Sequence, residues 1–245
     1  MAENRNKNTA QHRLEAFREH VKELVYVFSH DMRNPLVNMK ALLNEMGEVM
    51  GEIRAGKQDA LDREMPEVVS MLEESVERMN RLIVGVNEIY HSMFDDIERQ
   101  ELPLNDLVAR LVQRFEAAQN VRFTVGELPV VQADPLAMNT VFEKLLENAV
   151  EAVGEGEGEV SVTAESRDGD DLLMIRDNGR GISAEELGHI FEPFYSGSGS
   201  ARGSKSGVGL CVVKGFVEAH GGEVWGESKR GEGSVFYLSL PRRGA

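Results

Sequence analysis

The chain has 245 residues, 41% of them hydrophobic, with 24 glycines, 7 prolines and a formal net charge of −15. This composition suits one or two packed cores, and the acidic excess argues against a broad nucleic-acid footprint, which needs clustered Lys and Arg. The single cysteine, Cys211, excludes an internal disulfide and a multi-cysteine metal site; no apolar run reaches the length of a membrane span and no signal-peptide core is visible, so a cytoplasmic protein is expected.

Residues 1–13 are polar and read as a tail. From Leu14 the apolar residues recur at three- and four-residue steps: Leu14, Phe17, Val21, Leu24 and Phe28, then Leu36, Met39, Leu43, Met46, Met50 and Ile53. That is a heptad seam, broken only around His30. A second run, Val69, Leu72, Val76, Met79, Ile83, Val86, Tyr90, Met93 and Ile97, is more regular. Gly51, Gly56 and Pro66 lie between the two and can hold a turn, so residues 14–101 read as a helical hairpin. Two helices alone bury little, and a seam this long usually finds a second copy, so a homodimeric four-helix bundle is expected.

The interruption holds Phe28-Ser29-His30-Asp31-Met32-Arg33-Asn34-Pro35-Leu36. His30 stands roughly 200° around the helix from Phe28 and roughly 240° from Leu24, so it points away from the seam. Asp31 can orient the imidazole and take its ring proton, leaving the other nitrogen as a neutral nucleophile. Pro35 removes a backbone donor and is expected to bend the helix. His12, His20 and His91 have polar helical surroundings, His189 reads as solvated, and His220 before Gly221 reads as a helix cap.

After Ile97 the pattern breaks, and Leu102-Pro103-Leu104 reads as a hinge. Asn105 to Ala118 is a predicted helix with Asn105 as its N-cap, and Val121 to Val125 a strand. Pro135 to Val153 returns to helical period. Strands are predicted at Glu159 to Ser166, Leu172 to Asp177, Glu223 to Glu227 and Ser234 to Leu240. Mixed strands and helices without a repeating βαβ unit imply an α+β sandwich over residues 105–242.

Within that second half, Asn148 borders the apolar face of its helix, flanked by Lys144 and Glu151. Its amide is either a satisfied structural group or a neutral oxygen ligand for Mg²⁺. Asp177-Asn178-Gly179-Arg180-Gly181 ends a strand with a carboxylate that can accept from an adenine amino group, and its glycines let backbone approach the base. Gly207-Val208-Gly209-Leu210 opens a helix whose N-terminus favours phosphate. Cys211 falls on that helix's packed face and carries no redox role. Phe191, Pro193 and Phe194 precede a Gly/Ser stretch tied at both ends into one domain, so residues 183–206 read as a lid rather than a linker.

His30, Asp31, Asn34 and Pro35 resemble the phosphoacceptor box of dimeric sensor histidine kinases. Asn148, the Asp177 segment, the Phe191 segment and the Gly207 segment follow the order of the N, G1, F and G2 boxes of the histidine kinase and Hsp90-type ATPase superfamily. The wording Asn148-Ala149-Val150-Glu151-Ala152, with Glu192-Pro193-Phe194-Tyr195, is most similar to the nitrogen-regulation branch. The resemblance covers about Leu14 to Pro241. It implies ATP with Mg²⁺, autophosphorylation of His30 assisted by Asp31, transfer to an aspartate of a response regulator receiver domain, and regulator dephosphorylation through a water positioned by Asn34. Asn148 would be the metal ligand. Lys144, Glu151, Asp177, Gly179, Gly181, Ile182, Phe191, Phe194, Lys205, Ser206, Gly207, Val208, Gly209 and Leu210 would complete the nucleotide site.

Two positions depart from the family pattern, Lys144 where many members have a second Asn, and Lys205 where they have Gly. They are the support for a nonenzymatic alternative, a nucleotide-binding dimeric scaffold. A gyrase- or Hsp90-like ATPase shares the nucleotide boxes but is disfavoured by the His30 box. Too few residues precede Leu14 for a folded sensor domain, so a signal is expected through a partner such as an upstream sensor, through the hairpin, or through a portion absent from this chain.

Overall fold

The computed structural model describes residues 2–56, 63–94, 96–116, 121–154, 157–167, 169–197 and 207–242, with side-chain surroundings from Val25 onward. Two compact units divide within the second helix, after Val86.

The first unit is helical. α1 spans Ala2–Arg54 and α2 spans Met65–Phe94. No Gly or Pro stands between Ala2 and Leu14, and residues 2–13, expected as a tail, are part of α1. The helix runs on through Pro35, which is itself buried. It ends at a turn where Gly56 adopts φ 93°, a backbone conformation open to glycine. Leu14, Phe17, Val21 and Leu24 of the predicted seam, with His12 and His20, have side chains outside the described residues.

Farther along, the seam differs from expectation. The buried positions are Pro35, Leu42 and Val49 on α1 and Val68, Leu82 and Ile89 on α2, beside the small residues Gly85 and Ser92, with Met39, Met46, Ile53, Leu72, Met79 and Val86 half-buried. Leu36, Leu43 and Met50, and Val69, Val76, Ile83 and Tyr90, remain exposed. Each helix therefore carries two adjacent apolar stripes at heptad spacing, and burial within the chain takes only one of them. The predicted seam mixed members of both.

The second unit is an α+β sandwich that begins with the last turns of α2, from Asn87. In chain order it holds β1 (Gln100–Pro103), α3 (Leu104–Glu116), β2 (Val121–Val125), β3 (Val130–Ala133), α4 (Pro135–Val153), β4 (Gly158–Arg167), β5 (Asp170–Asp177), the short α5 (Ala184–Leu187), α6 (Gly209–Ala219), β6 (Glu223–Ser228) and β7 (Ser234–Pro241). The main sheet has the order β2-β4-β5-β7-β6, with β2 and β4 parallel and the other neighbours antiparallel. β1 and β3 form a separate antiparallel pair.

The core explains why these segments adopt these forms. α4 buries Ala137, Met138, Val141, Phe142, Leu145, Leu146, Ala149 and Val150, a stripe at helical spacing. Each fully buried Phe or Leu contributes about 1.5–3 kcal/mol. β7 buries alternate residues, Phe236, Leu238 and Leu240, as a sheet with one covered face requires. Asp134 starts α4 by accepting from Leu136 N and Ala137 N, with Pro135 at the first turn, and Gly154 ends it at φ 71°.

Two local readings are corrected. Residues 102–104 are not a hinge: Leu102 and Pro103 lie in paired β1, and Leu102 and Leu104 are buried in the sandwich core. Asn105 does not cap α3, which already starts at Leu104. Its side chain bridges the loop after β2 instead, donating to Gly126 O at 3.0 Å and accepting from Leu128 N at 2.9 Å.

Candidate phosphoacceptor and nucleotide sites

In the first unit His30 is exposed, with its side chain 62% accessible, and its Nδ1 lies 3.1 Å from Asp31 Oδ1. A carboxylate at Nδ1 favours the tautomer that carries its proton there, which leaves the lone pair on Nε2 of an exposed ring. Asn34 is also exposed and, four residues on, shares the helix face of His30. The expected outward direction and pairing are both present.

The described residues among those predicted for the nucleotide site belong to the second unit, where α4 is the spine. Lys144, Asn148 and Glu151 follow one another along it, all half-buried. Gly179 lies against the C-terminal end of α4: a Cβ there would come within 2.3 Å of the Ala152 carbonyl carbon. Arg180 N donates to Ala152 O at 2.8 Å, and the Arg180 guanidinium stands 3.9 Å from Glu151. Farther back along α4, the Lys144 stem lies beside the start of α6, its Cδ 3.7 Å from where a Gly209 Cβ would sit. The Asp177 and Gly207 segments thus meet the same helix about two turns apart.

Asp177 is buried at the end of β5. Its Oδ1 accepts from Gly179 N at 2.9 Å. Burial pushes its carboxyl above the usual carboxylate range, while bonds from Gly179 and Ser234 and the charge of Arg180 pull the other way. A carboxylate in such surroundings gains from any further donor. Asn178 is engaged with β4, accepting from Glu159 N at 2.9 Å.

The glycines do something the sequence reading did not assign. Gly181 has φ 65° and would place a Cβ 2.1 Å from Lys229 O. Gly179 and Gly181 let the strand end pack on α4 and on the β6–β7 turn, where a side chain would meet protein backbone. The next residue, Ile182, donates its N–H to Ser228 Oγ at 2.7 Å, and Ser228 Oγ in turn donates to Gly233 O at 2.8 Å. Ser228, Gly233 and Ser234, which support Asp177 and Ile182, were missed. The signal was the Gly231-Glu232-Gly233-Ser234 turn before the last strand.

In the segment predicted as a lid, Ser183 forms a capping box with Glu186 at the start of α5. Phe191 packs on the core, and Phe194 adopts φ 62°, a conformation rare for a non-glycine residue. Gly207, at φ 70°, would put a Cβ 2.6 Å from the Phe194 carbonyl carbon, so the residues that flank the Gly/Ser stretch inside the predicted lid meet. Lys205 and Ser206 lie outside the described residues. Val208 is buried, and Gly209 and Leu210 open α6. Lys144 forms an ion pair with Glu88 of α2, 3.0 Å apart. Burial raises the Cys211 thiol to about 11, which leaves it protonated and unreactive. His189 is exposed as expected, but it pairs with Glu192 at 2.8 Å and lies against Tyr195.

An outward His-Asp pair on a helical hairpin and a sandwich whose central helix gathers these segments are features of a sensor histidine kinase, and proteins of that class are what the chain is similar to. Residues 133–244 match the family described as histidine kinase-, DNA gyrase B-, and HSP90-like ATPase. Sensor histidine kinase ZraS of Escherichia coli (strain K12) is 31% identical over 219 residues, which cover 87% of this chain and 44% of ZraS. Alginate biosynthesis sensor protein KinB of Pseudomonas aeruginosa is 31% identical over 240 residues, covering 92% of this chain and 38% of KinB. The chain thus spans less than half the length of these relatives. Among solved structures, the catalytic domain of histidine kinase ThkA is 29% identical, with a TM-score of 0.52 over 59% of this chain and 96% of that one. ThkA in complex with response regulator protein TrrA has a TM-score of 0.69 over 96% of this chain and 66% of that one, at 24% identity, a likeness of fold. Among the described residues no helix is long and apolar enough to cross a membrane.

Proposed function

We propose that the chain is an ATP-dependent protein histidine kinase that phosphorylates His30 and passes the phosphoryl group to an aspartate of a response regulator. The observation that carries this reading is the His30–Asp31 pair: an exposed imidazole with a carboxylate 3.1 Å from Nδ1. Nε2 attacks the γ-phosphorus of ATP, the bond to the β,γ-bridging oxygen breaks, and ADP leaves with that electron pair. Asp31 stabilises the Nδ1 proton of the phosphorylated ring and then accepts it. The chain's contribution is positioning and charge neutralisation.

In the second unit Asp177 would receive the adenine amino group, and the α6 N-terminus the phosphates. Asn148 offers a hard, neutral oxygen half-buried on α4, the donor type that suits Mg²⁺ shared with a nucleotide. Bound there, Mg²⁺ would neutralise charge on the β- and γ-phosphates. Lys144, Glu151, Gly179, Gly181, Ile182, Phe191, Phe194, Lys205, Ser206, Gly207, Val208, Gly209 and Leu210 would line or shape the same site.

The exposed stripes Leu36, Leu43 and Met50, and Val69, Val76, Ile83 and Tyr90, support a homodimer through the hairpin, since apolar stripes at this spacing ordinarily find a partner. Asn34, on the face of His30, supports regulator dephosphorylation as a second activity. The complex of ThkA with a response regulator supports a receiver domain as the partner. An upstream sensor and a cytoplasmic setting complete the proposal.

A chase experiment tests the transfer step. Chain labelled from ATP should lose its phosphate to an added receiver domain within minutes, and Asn34→Ala should keep that transfer while losing dephosphorylation of the receiver. A label that no receiver domain removes would count against the transfer.

A further inference from the structure

The last two turns of α2 belong to the second unit and touch it at two points one turn apart. Glu88 pairs with Lys144 of α4 at 3.0 Å, both side chains only about a quarter accessible. Ser92 is buried and lies against Gly215 of α6, where a Cβ would come within 2.5 Å of Ser92 Oγ. Ser92 Oγ donates back to Ile89 O at 2.8 Å, which turns its polar atom into its own helix and lets the helices approach. Glu88 and Ser92 are four residues apart and so share one face of α2.

Lys144 stands between two possible partners. Its stem passes the first turn of α6, where Gly209 leaves room beside it, while its ammonium rests on Glu88. A lysine side chain has a flexible four-carbon stem, so rotation of its last bonds swings the ammonium from Glu88 toward the α6 N-terminus. That helix end is where the nucleotide reading puts the phosphates.

Resting on that reading, we propose that Glu88 is a built-in competitor for the nucleotide's phosphate groups. It holds Lys144 and must surrender it when ATP binds. Nucleotide occupancy is thereby coupled to release of Asn87–Phe94 from α4 and α6, and any force that lifts this end of α2 raises affinity for ATP. Glu88 is a positioning residue; Lys144 is the group that would touch phosphate.

Calorimetric titration with Mg-ATP, and with adenosine as a phosphate-free probe, tests the coupling. Glu88→Gln is expected to tighten Mg-ATP about three- to tenfold, the scale of one partly buried ion pair, and to leave adenosine unchanged. Gly215→Ala, which pushes Ser92 away, is expected to act in the same direction. Lys144→Met is expected to weaken Mg-ATP and to make Glu88→Gln silent when the two are combined. Amide exchange at residues 87–94 is expected to speed up with Mg-ATP but not with adenosine. Unchanged or weakened Mg-ATP binding in Glu88→Gln, or an equal gain for adenosine, overturns the competition. If the unaltered chain binds no Mg-ATP, the nucleotide reading itself falls, and the competition with it.

Discussion

Asp134 and His220 fix each other's hydrogen bonding across the second unit. The main-chain N–H of Asp134 donates to His220 Nε2 at 3.0 Å, so the ring proton sits on Nδ1, 2.7 Å from Phe216 O. The Asp134 carboxylate caps α4 and accepts from Glu98 N at 3.0 Å, while Arg99 donates to Ala219 O at 3.3 Å. The segment after α2, the start of α4 and the end of α6 are joined at this one point.

Stability should therefore fall on acidification. Burial, the largest cause, lowers the His220 pKa from its ordinary 6.5, and Arg99 adds to this; the Phe216 carbonyl and Asp134 pull it back up. The unfolded chain then binds a proton at higher pH than the folded one. The contribution is fully present above about 6.5 and is lost as pH falls through the folded value. His220→Ala should cost about 2 kcal/mol by leaving the Asp134 N–H unpaired. Denaturant unfolding between pH 8 and 5 checks both, and a pH slope unchanged in His220→Ala would refute the assignment.

Gly179→Ala and Gly181→Ala should each destabilise the second unit by about 2–4 kcal/mol, because a Cβ meets backbone at 2.3 Å and 2.1 Å and Gly181 also has φ 65°. Gly188→Ala, whose Cβ meets nothing nearer than 3.7 Å, should be near neutral. Thermal unfolding of the three variants decides it. Loss of nucleotide binding without loss of stability would mean that the two glycines face ligand rather than protein.

Asp177→Asn separates binding from folding. Burial disfavours the Asp177 charge, so the amide should keep the melting temperature or raise it. Replacing an acceptor by an amide should weaken ATP by about ten- to a hundredfold, the scale of a hydrogen bond to a charged group. A calorimetric titration that finds unaltered affinity would remove Asp177 from adenine recognition.

Val76→Asp or Ile83→Asp, at positions 52% exposed on α2, should convert the proposed dimer to monomer while leaving the fold intact, because both lie outside the buried core of the chain. Sedimentation measures it. A chain that is monomeric before substitution contradicts the proposed dimer.

What could be read from the sequence follows from how local each signal is. The helix Pro135–Val153 was legible to the residue because Asp134-Pro135 starts it and one apolar stripe runs its length. The five strands of the main sheet were legible to within two residues because their alternation is set by one covered face, whereas β1 and β3, four residues each, are too short to show a period and were not predicted. The hairpin was legible as two helices, but its buried face was not, since Leu42 and Leu43 are equally apolar and only the partner helix chooses between them. Leu102-Pro103-Leu104 is too short for a period, and its pairing with β3 lies about thirty residues away. The Lys144–Glu88 and Asp134–His220 contacts join distant segments, so nothing local announces them.

The central claim is that His30 receives the γ-phosphoryl group, and labelling with γ-³²P-ATP and Mg²⁺ tests it most directly. The unaltered chain should acquire an acid-labile, alkali-stable label that maps to the peptide containing His30, and His30→Gln should acquire none. A label that persists in His30→Gln, or one that survives acid, would contradict the assignment.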